Sequence, residues 1–251
     1  MTPFKMSKHK LILAIETSSR IGSVALAQGP KLLAQTTFTA PMRHSAEIFG
    51  AITALMHRFD LYPKQLKHIY VSIGPGSFTG LRISVTIAKA MHIANPVGIV
   101  PVDTLDVIAA NAHSEDQTHP IDRIATILDA KRNQFYIAAY KRPANATLKP
   151  SDTPNWQKTT PDSLMTAEHF LDTFADPANP IHLLGDGLLF HKNKFQSPGA
   201  RVLDQEYWSP QAAKVHALGY QLALAGKFAD PARLIPTYIR RPEAEEKWQQ
   251  R

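Results

Sequence analysis

Two landmarks in this chain each occur twice at nearly the same spacing, and that repetition constrains the fold more than any single motif. The apolar run Leu11 to Ile15 ends at Glu16, and the run Ile124 to Leu128 ends at Asp129, an offset of 113 positions (129 − 16). Gly74-Pro75-Gly76 follows the run Ile69 to Ile73, and Gly185-Asp186-Gly187 follows Ile181 to Leu184, an offset of 111 (185 − 74). An internal repeat is read first because it dictates the architecture of both copies. The first copy reads as a three-stranded antiparallel meander, Leu11 to Ile15, Ser23 to Ala27 and Lys31 to Phe38, with turns at Glu16 to Arg20 and at Gly29-Pro30. A helix from about His44 to Phe59 follows, with Ile48, Phe49, Ile52, Leu55, Met56 and Phe59 on one broad stripe. Strand 69–73, a glycine turn, helix 81–93, strand 97–102 and a helix from Asp103-Thr104 complete a β-β-β-α-β-α-β-α order. The second copy repeats the start with strands 124–128 and 135–140. The stretch from Pro143 to Pro161 reads as a surface loop, then come a helix over 162–174 and another from Ser209-Pro210 to Ala225, stopped by Gly226.

The glycine turn Gly74-Pro75-Gly76-Ser77-Phe78-Thr79-Gly80 connects a strand to a helix. Its glycines permit close backbone approach, Ser77 or Thr79 can cap the helix, and a helix start favours an anion. Its spacing fits neither the dinucleotide fingerprint nor a Walker A loop. Two readings therefore stand: an anion cradle, or a tight structural turn.

With 251 residues, 44% of them hydrophobic, the chain can bury one large or two smaller cores. No apolar run approaches the ~20 residues that span a bilayer, and the five apolar residues Leu11 to Ile15 are too few for a signal-peptide core. A cytoplasmic protein that makes no membrane contact is expected. The absence of cysteine excludes disulfides, thiolate metal sites and a thiol nucleophile. The formal charge of +7 suits work near a polyanion such as RNA, although the basic pairs Lys131-Arg132, Lys141-Arg142 and Arg240-Arg241 are scattered and equally suit a solvated surface. No two of the eleven histidines stand four apart, so no helical metal pair is encoded, and no Gly-x-Ser-x-Gly elbow supports a serine hydrolase.

Two duplicated β-β-β-α-β-α lobes, each with an acidic residue after its first strand and a Gly-x-Gly turn later, resemble the actin-like, ribonuclease H-like ASKHA superfold. Within it the chain resembles the TsaB family, formerly YeaZ. The residues that carry the likeness are Ile12 to Ser18 with Gly22 to Leu26, Arg43-His44-Ser45, Gly74 to Arg82 with Ala88-Lys89, and Asp103-Thr104-Leu105. Later ones are Asp129-Ala130 with Tyr136, Gly185 to Gly187, and Pro236 to Arg240. The chain departs at Lys131 to Phe135, where Gln134 stands in place of the family's usual Glu, and about ten extra residues at the start are expected to be disordered.

The resemblance implies an α/β protein with a first lobe over 1–118 and a second over 119–251, the C-terminal helix and tail packing back on the first. It implies a non-catalytic subunit for threonylcarbamoyl transfer to adenosine of tRNA, with no cofactor of its own. Its partners would be a TsaD-type transferase subunit and a TsaE-type ATPase, with tRNA, ATP and Mg²⁺ met through the complex. The histidine pair that the resemblance assigns to the TsaD metal site is missing here, where Val102-Asp103-Thr104-Leu105 stands. The alternative is an ATP-binding or ATP-hydrolysing kinase-like enzyme. Its nucleotide or anion site would draw on Glu16, Thr17, Ser18, Gly74, Gly76, Ser77, Thr79, Gly80, Asp129, Gly185 and Gly187.

The helix over 81–93 carries two apolar lines, and a surface helix needs only one. The expected partner face therefore comprises Ile48, Ile52, Ile83, Ile87, Ala90 and Met91, which would also pair the free chain with itself. A charge at Ile87 or Met91 is expected to break association and leave the lobe folded. His44 is expected to act at its helix start or to line the cleft.

Overall fold

A computed structural model describes residues 10–38, 44–112, 121–143 and 156–240, with the side chains of residues 44–46 left aside. The extra residues at the start, the side chain of His44, most of the expected loop at 143–161 and the end beyond Arg240 lie outside the described residues.

The first sheet contains β1 (Leu11–Glu16), β2 (Gly22–Gln28), β3 (Lys31–Phe38), β4 (Leu66–Ser72) and β5 (Gly98–Val102) in the order β3-β2-β1-β4-β5. The second contains β6 (Arg123–Asp129), β7 (Phe135–Lys141), β8 (Gln157–Met165), β9 (Ile181–Leu184) and β10 (Ala200–Val202) in the order β10-β9-β6-β7-β8. Read from the meander side, the two orders are the same. In each sheet the meander is antiparallel and the later strands join parallel to the first. The duplicated landmarks therefore occupy equivalent places in two actin-like lobes.

Helices α1 (His44–Arg58), α2 (Phe78–Ala94) and α3 (Thr104–Ala109) follow the first meander; α4 (Ala167–Phe174), α5 (Leu188–His191) and α6 (Ala212–Leu224) follow the second. The period of two along a strand assigns each face of β1 a partner. Leu11, Leu13 and Ile15 join the core under α1 and α2, whereas Ile12 and Ala14 join the core under α6. β2 repeats the division, with Val24 and Leu26 on one side and Ala25 and Ala27 on the other. Covered on both faces, these strands read as continuous apolar runs. The small alanines, with Gly219 of α6 against the Tyr70 ring, let α6 approach closely.

The two cores do not follow a single cut in the chain. Leu105, Ile108 and Ala109 of α3 belong to the core of the second sheet, while Ala212 and Val215 of α6 belong to that of the first. Each helix crosses to the neighbouring lobe.

Local expectations also shift. The polar end of the expected loop pairs as β8 along β7, with Phe135 opposite Met165 and Tyr136 opposite Leu164. This tertiary pairing overrides weak β propensity and moves the start of α4 from 162 to Ala167, capped by Thr166. Helix α6 begins after Gln211 rather than at Pro210.

A polar seam ties the lobes where α3 meets β8. Lys158 Nζ lies 2.8 Å from Asp106 Oδ1, 2.7 Å from Asp162 Oδ1 and 3.4 Å from Asp103 Oδ2, and the Tyr140 hydroxyl donates to Asp106 at 2.9 Å. Asp103 also caps α3 by accepting from the Leu105 and Asp106 amides. Burial, aided by neighbouring Asp162 and Asp106, pushes its carboxyl up to about 8. Its ordinary value is about 3.9, so the folded chain holds more protons than the unfolded chain between those values, and stability declines as pH rises through that window. Asp103→Asn keeps a capping oxygen and removes the titration. The melting temperature of the variant relative to the native chain should therefore rise between pH 6 and pH 9, measured by circular dichroism; parallel curves would contradict it.

Candidate functional site

Both acidic landmarks end strands that point into the space between the lobes, but they are used differently. Glu16 is fully buried. Its Oε1 accepts from the Ser18 amide and hydroxyl, each at 2.5 Å, and its Oε2 accepts from the Ser72 hydroxyl. Burial pushes its carboxyl above the ordinary range, against the pull of these hydrogen bonds. The side chain fastens β1 to β4 and its own turn, leaving no face toward solvent.

The glycine turn is fastened to that same β1 turn. The Ser77 amide donates to Ser18 O at 2.6 Å and the Thr17 hydroxyl donates to Gly80 O at 2.8 Å. A Cβ on Gly80 would stand 1.8 Å from Thr17 O, and one on Gly76 would stand 2.4 Å from Ser18 O. Ser77 caps α2, accepting from the Gly80 amide. The side-chain space of Gly76 and Gly80 is thus filled by the backbone of the β1 turn, so these two glycines serve the close approach of the two turns. Gly74 faces the tail instead, 2.7 Å from Thr237 O at its Cβ position.

The second lobe repeats the closure. Gly185, at φ +126, would put a Cβ 2.2 Å from Ile127 O, and the Gly187 amide donates to that same oxygen at 3.0 Å. Asp129 differs from Glu16: half-exposed, it accepts from the Lys131 amide and ammonium at 2.7 Å each, with His191 Nε2 at 3.9 Å. Partial burial works to raise its pKa, but the Lys131 contacts prevail and hold it below the ordinary value.

Between these turns lies a cleft of about 470 Å³. Ser18, Gly76, Ser77, Asp129 and Gly187 line it; Glu16, Thr17, Gly74, Thr79, Gly80 and Gly185 do not. The lining also includes Arg20, Phe78, Lys131, Asp186, Phe190 and His191, which the motif reading passed over. Phe78 and Asp186 stood inside the quoted glycine strings, where attention to glycine spacing hid them. Arg20, Phe190 and His191 carry no local signal. Among the described residues no group of three or more His, Asp or Glu could hold a metal ion.

The C-terminal tail straps the lobes together beside this cleft. The Thr237 amide donates to Ile73 O at 2.7 Å, and the Tyr238 hydroxyl accepts from Arg82 Nε at 3.1 Å. Arg240 then reaches the second lobe, donating to Ala130 O and to Gln134 Oε1. The amide oxygen of Gln134 is thus an adequate acceptor where a carboxylate was expected. These bonds hold a turn in which Lys131, Arg132 and Asn133 all have positive φ, at 65°, 55° and 60°, a strained arrangement for three successive non-glycine residues.

The expected partner face needs correction. Ile48, Ile52 and Ile87 are buried in the core of the first lobe, because α1 packs on β2 and β3 and α2 on β4, β5 and α1, and these are the residues turned inward. Ile83 and Met91 are half-buried, and Ala90 is exposed. A charge at Ile87 would therefore unfold the lobe rather than test an interface. The outward faces of α1 and α2 instead present Phe49, Gly50, Thr53 and Ala54, and Thr86, Ala90 and Ile93, with Phe49 57% and Ile93 83% exposed.

Gly80→Ala should destabilise the chain by about 3 kcal/mol in urea unfolding, since the Thr17 backbone lies against the added methyl and cannot swing aside as a side chain could. Gly50→Ala, at a helical site with nothing within 4 Å, should stabilise it by about 1 kcal/mol. Equal effects at the two sites would refute the close-packed turn.

Comparison with known proteins agrees with this geometry. The family model described as "TsaD: tRNA N6-adenosine threonylcarbamoyltransferase" matches residues 38–171, just over half of the chain. The tRNA threonylcarbamoyladenosine biosynthesis protein TsaB of Bacillus subtilis (strain 168) is 31% identical over 240 residues, covering 94% of this chain and 97% of the relative. TsaB of Escherichia coli (strain K12) is 23% identical over 229 residues, covering 91% and 94%. Among solved structures, YeaZ from Pseudomonas aeruginosa superposes with a TM-score of 0.73 at 20% identity, over 92% of this chain and all of that one. A second, described as an uncharacterized protein from Pseudomonas aeruginosa with similarity to peptidase YEAZ, gives 0.75 at 22% with the same coverage.

Proposed function

The chain belongs to the TsaB family, a branch of the larger group that the TsaD model describes, and from that premise we propose that it serves threonylcarbamoyladenosine biosynthesis in tRNA as a non-catalytic subunit. In this reading it binds and supports a TsaD-type transferase subunit, together with a TsaE-type ATPase, in the cytoplasm. ATP, Mg²⁺ and tRNA are engaged through the complex. The single observation that carries the reading is the full burial of Glu16, whose carboxylate is taken up by Ser18 and Ser72 and lines no part of the cleft. A phosphoryl-transfer enzyme needs its acidic residues free to hold Mg²⁺. Here Glu16 is enclosed by Ser18 and Ser72. The ties at Lys158 and Arg240 also join the two lobes, opposing the hinge closure that a phosphoryl-transfer cycle uses.

The exposed apolar stripes of α1 and α2 supply the contact face of this reading. Small residues at Gly50, Ala54, Thr86 and Ala90 allow close helix approach, and Phe49 and Ile93 supply the apolar anchors. The free chain pairs with itself through this same face.

Co-purification with a TsaD-type subunit, followed by tRNA modification with and without this chain, tests the proposal. Modification should require both subunits. Phe49→Glu and Ile93→Glu should each weaken association tenfold or more with unchanged circular dichroism, because neither side chain reaches the core. Retained binding by both variants would remove the proposed face. ATP turnover of about 1 s⁻¹ by the isolated chain, abolished by Asp129→Ala, would reinstate the kinase reading.

A further inference from the structure

The mouth of the cleft carries a feature that partner binding leaves unexplained. Phe78, the first residue of α2, is 42% exposed on one lip, and Phe190, in α5 of the other lobe, is 64% exposed. Each lies under a guanidinium: Arg82 stands 3.8 Å from the centroid of Phe78, and Arg20 stands 4.9 Å from that of Phe190. Tyr238 extends the first pair, its ring 5.2 Å from Phe78. Arg20, Phe78 and Phe190 line the same cleft. Part-exposed aromatic rings beside arginines are a combination that binds single-stranded nucleic acid, the rings stacking on bases and the cations following phosphates.

The overall charge of +7 also favours a polyanion.

We propose that the Phe78–Arg82 and Phe190–Arg20 pairs form a stacking platform for unpaired nucleotides of an RNA strand. This rests on the reading that the chain serves tRNA modification, and it assigns the cleft mouth, rather than the α1–α2 face, to direct RNA contact.

Fluorescence anisotropy tests it, using 5′-labelled octaadenylate RNA with the full chain, alone and co-purified with a TsaD-type subunit. Phe190→Ala and Phe78→Ala should each weaken binding about tenfold, the loss of one base–ring stack. Phe190→Trp should retain it, and ATP should displace the strand poorly. An eight-base-pair RNA duplex should bind weakly and respond little to either alanine, since its bases are not free to stack. Equal affinity of native chain and alanine variants would overturn the platform. Equal binding of duplex and single strand would overturn it too, reducing the contact to charge alone. No binding by either preparation would also refute it. Pull-down of the transferase subunit by Phe190→Ala separates the two ideas: retained pull-down with lost RNA affinity supports the platform, whereas a native chain that fails to capture the subunit refutes the partner reading and leaves the RNA result to be judged on the isolated chain.

Discussion

The contact on which this structure depends is the backbone approach between the turn after β1 and the glycine turn before α2. Thr17 O and Ser18 O sit so close to Gly80 and Gly76 that no side chain fits between them. Ser77 N and the Thr17 hydroxyl close the gap with hydrogen bonds, which leaves these buried polar groups satisfied. The second lobe repeats the device with Ile127 against Gly185 and Gly187. In both lobes the same packing aligns the parallel strands, starts the following helix and forms one wall of the cleft.

Around it, the lobes are joined on several sides by interactions of different kinds. Helices α3 and α6 each bury an apolar face in the opposite lobe. Asn111 donates to Tyr207 O and Ser209 O, and the Ala212 amide donates to Ser23, joining the segment before α6 to both cores. Lys158 gathers three carboxylates at the α3–β8 seam, and Arg240 holds the strained turn at 131–133. Exposed ion pairs count for little one at a time, but each crossed helix buries apolar residues in the core of the opposite lobe, so packing as well as charge ties the lobes together. A body of this kind suits presenting fixed surfaces, here an apolar face on α1 and α2 and an aromatic, arginine-bearing mouth.

Much of the architecture was legible in the sequence because local pattern and tertiary need agreed. The strands β1, β2 and β9 are mostly apolar since helices or neighbouring elements cover them, and the glycine strings recur because both lobes need the same close turn. Where the two disagreed, the reading failed. Gln157 to Met165 is polar and contains Pro161, yet it pairs as an edge strand on β7. Helix α2 is apolar on two sides because it meets both β4 and α1, so Ile87 reads as surplus surface while lying in the core.

The sequence by itself determined the duplication, the strand and helix order of the first lobe, the family and the absence of thiol or paired-histidine chemistry, since these reside in residue type and spacing. Only the tertiary structure decided how the duplicated motifs are packed. Whether position 80 can carry a side chain depends on where Thr17 O lies, 63 positions away, and whether Glu16 is free depends on Ser72, 56 positions away. The tail's Arg240 meets Gln134 across 106 positions, and Phe78 and Phe190 reach one cleft from different lobes. Spacing along a chain cannot encode such distances, because they arise from strand pairing within the first sheet and from the packing of one lobe against the other.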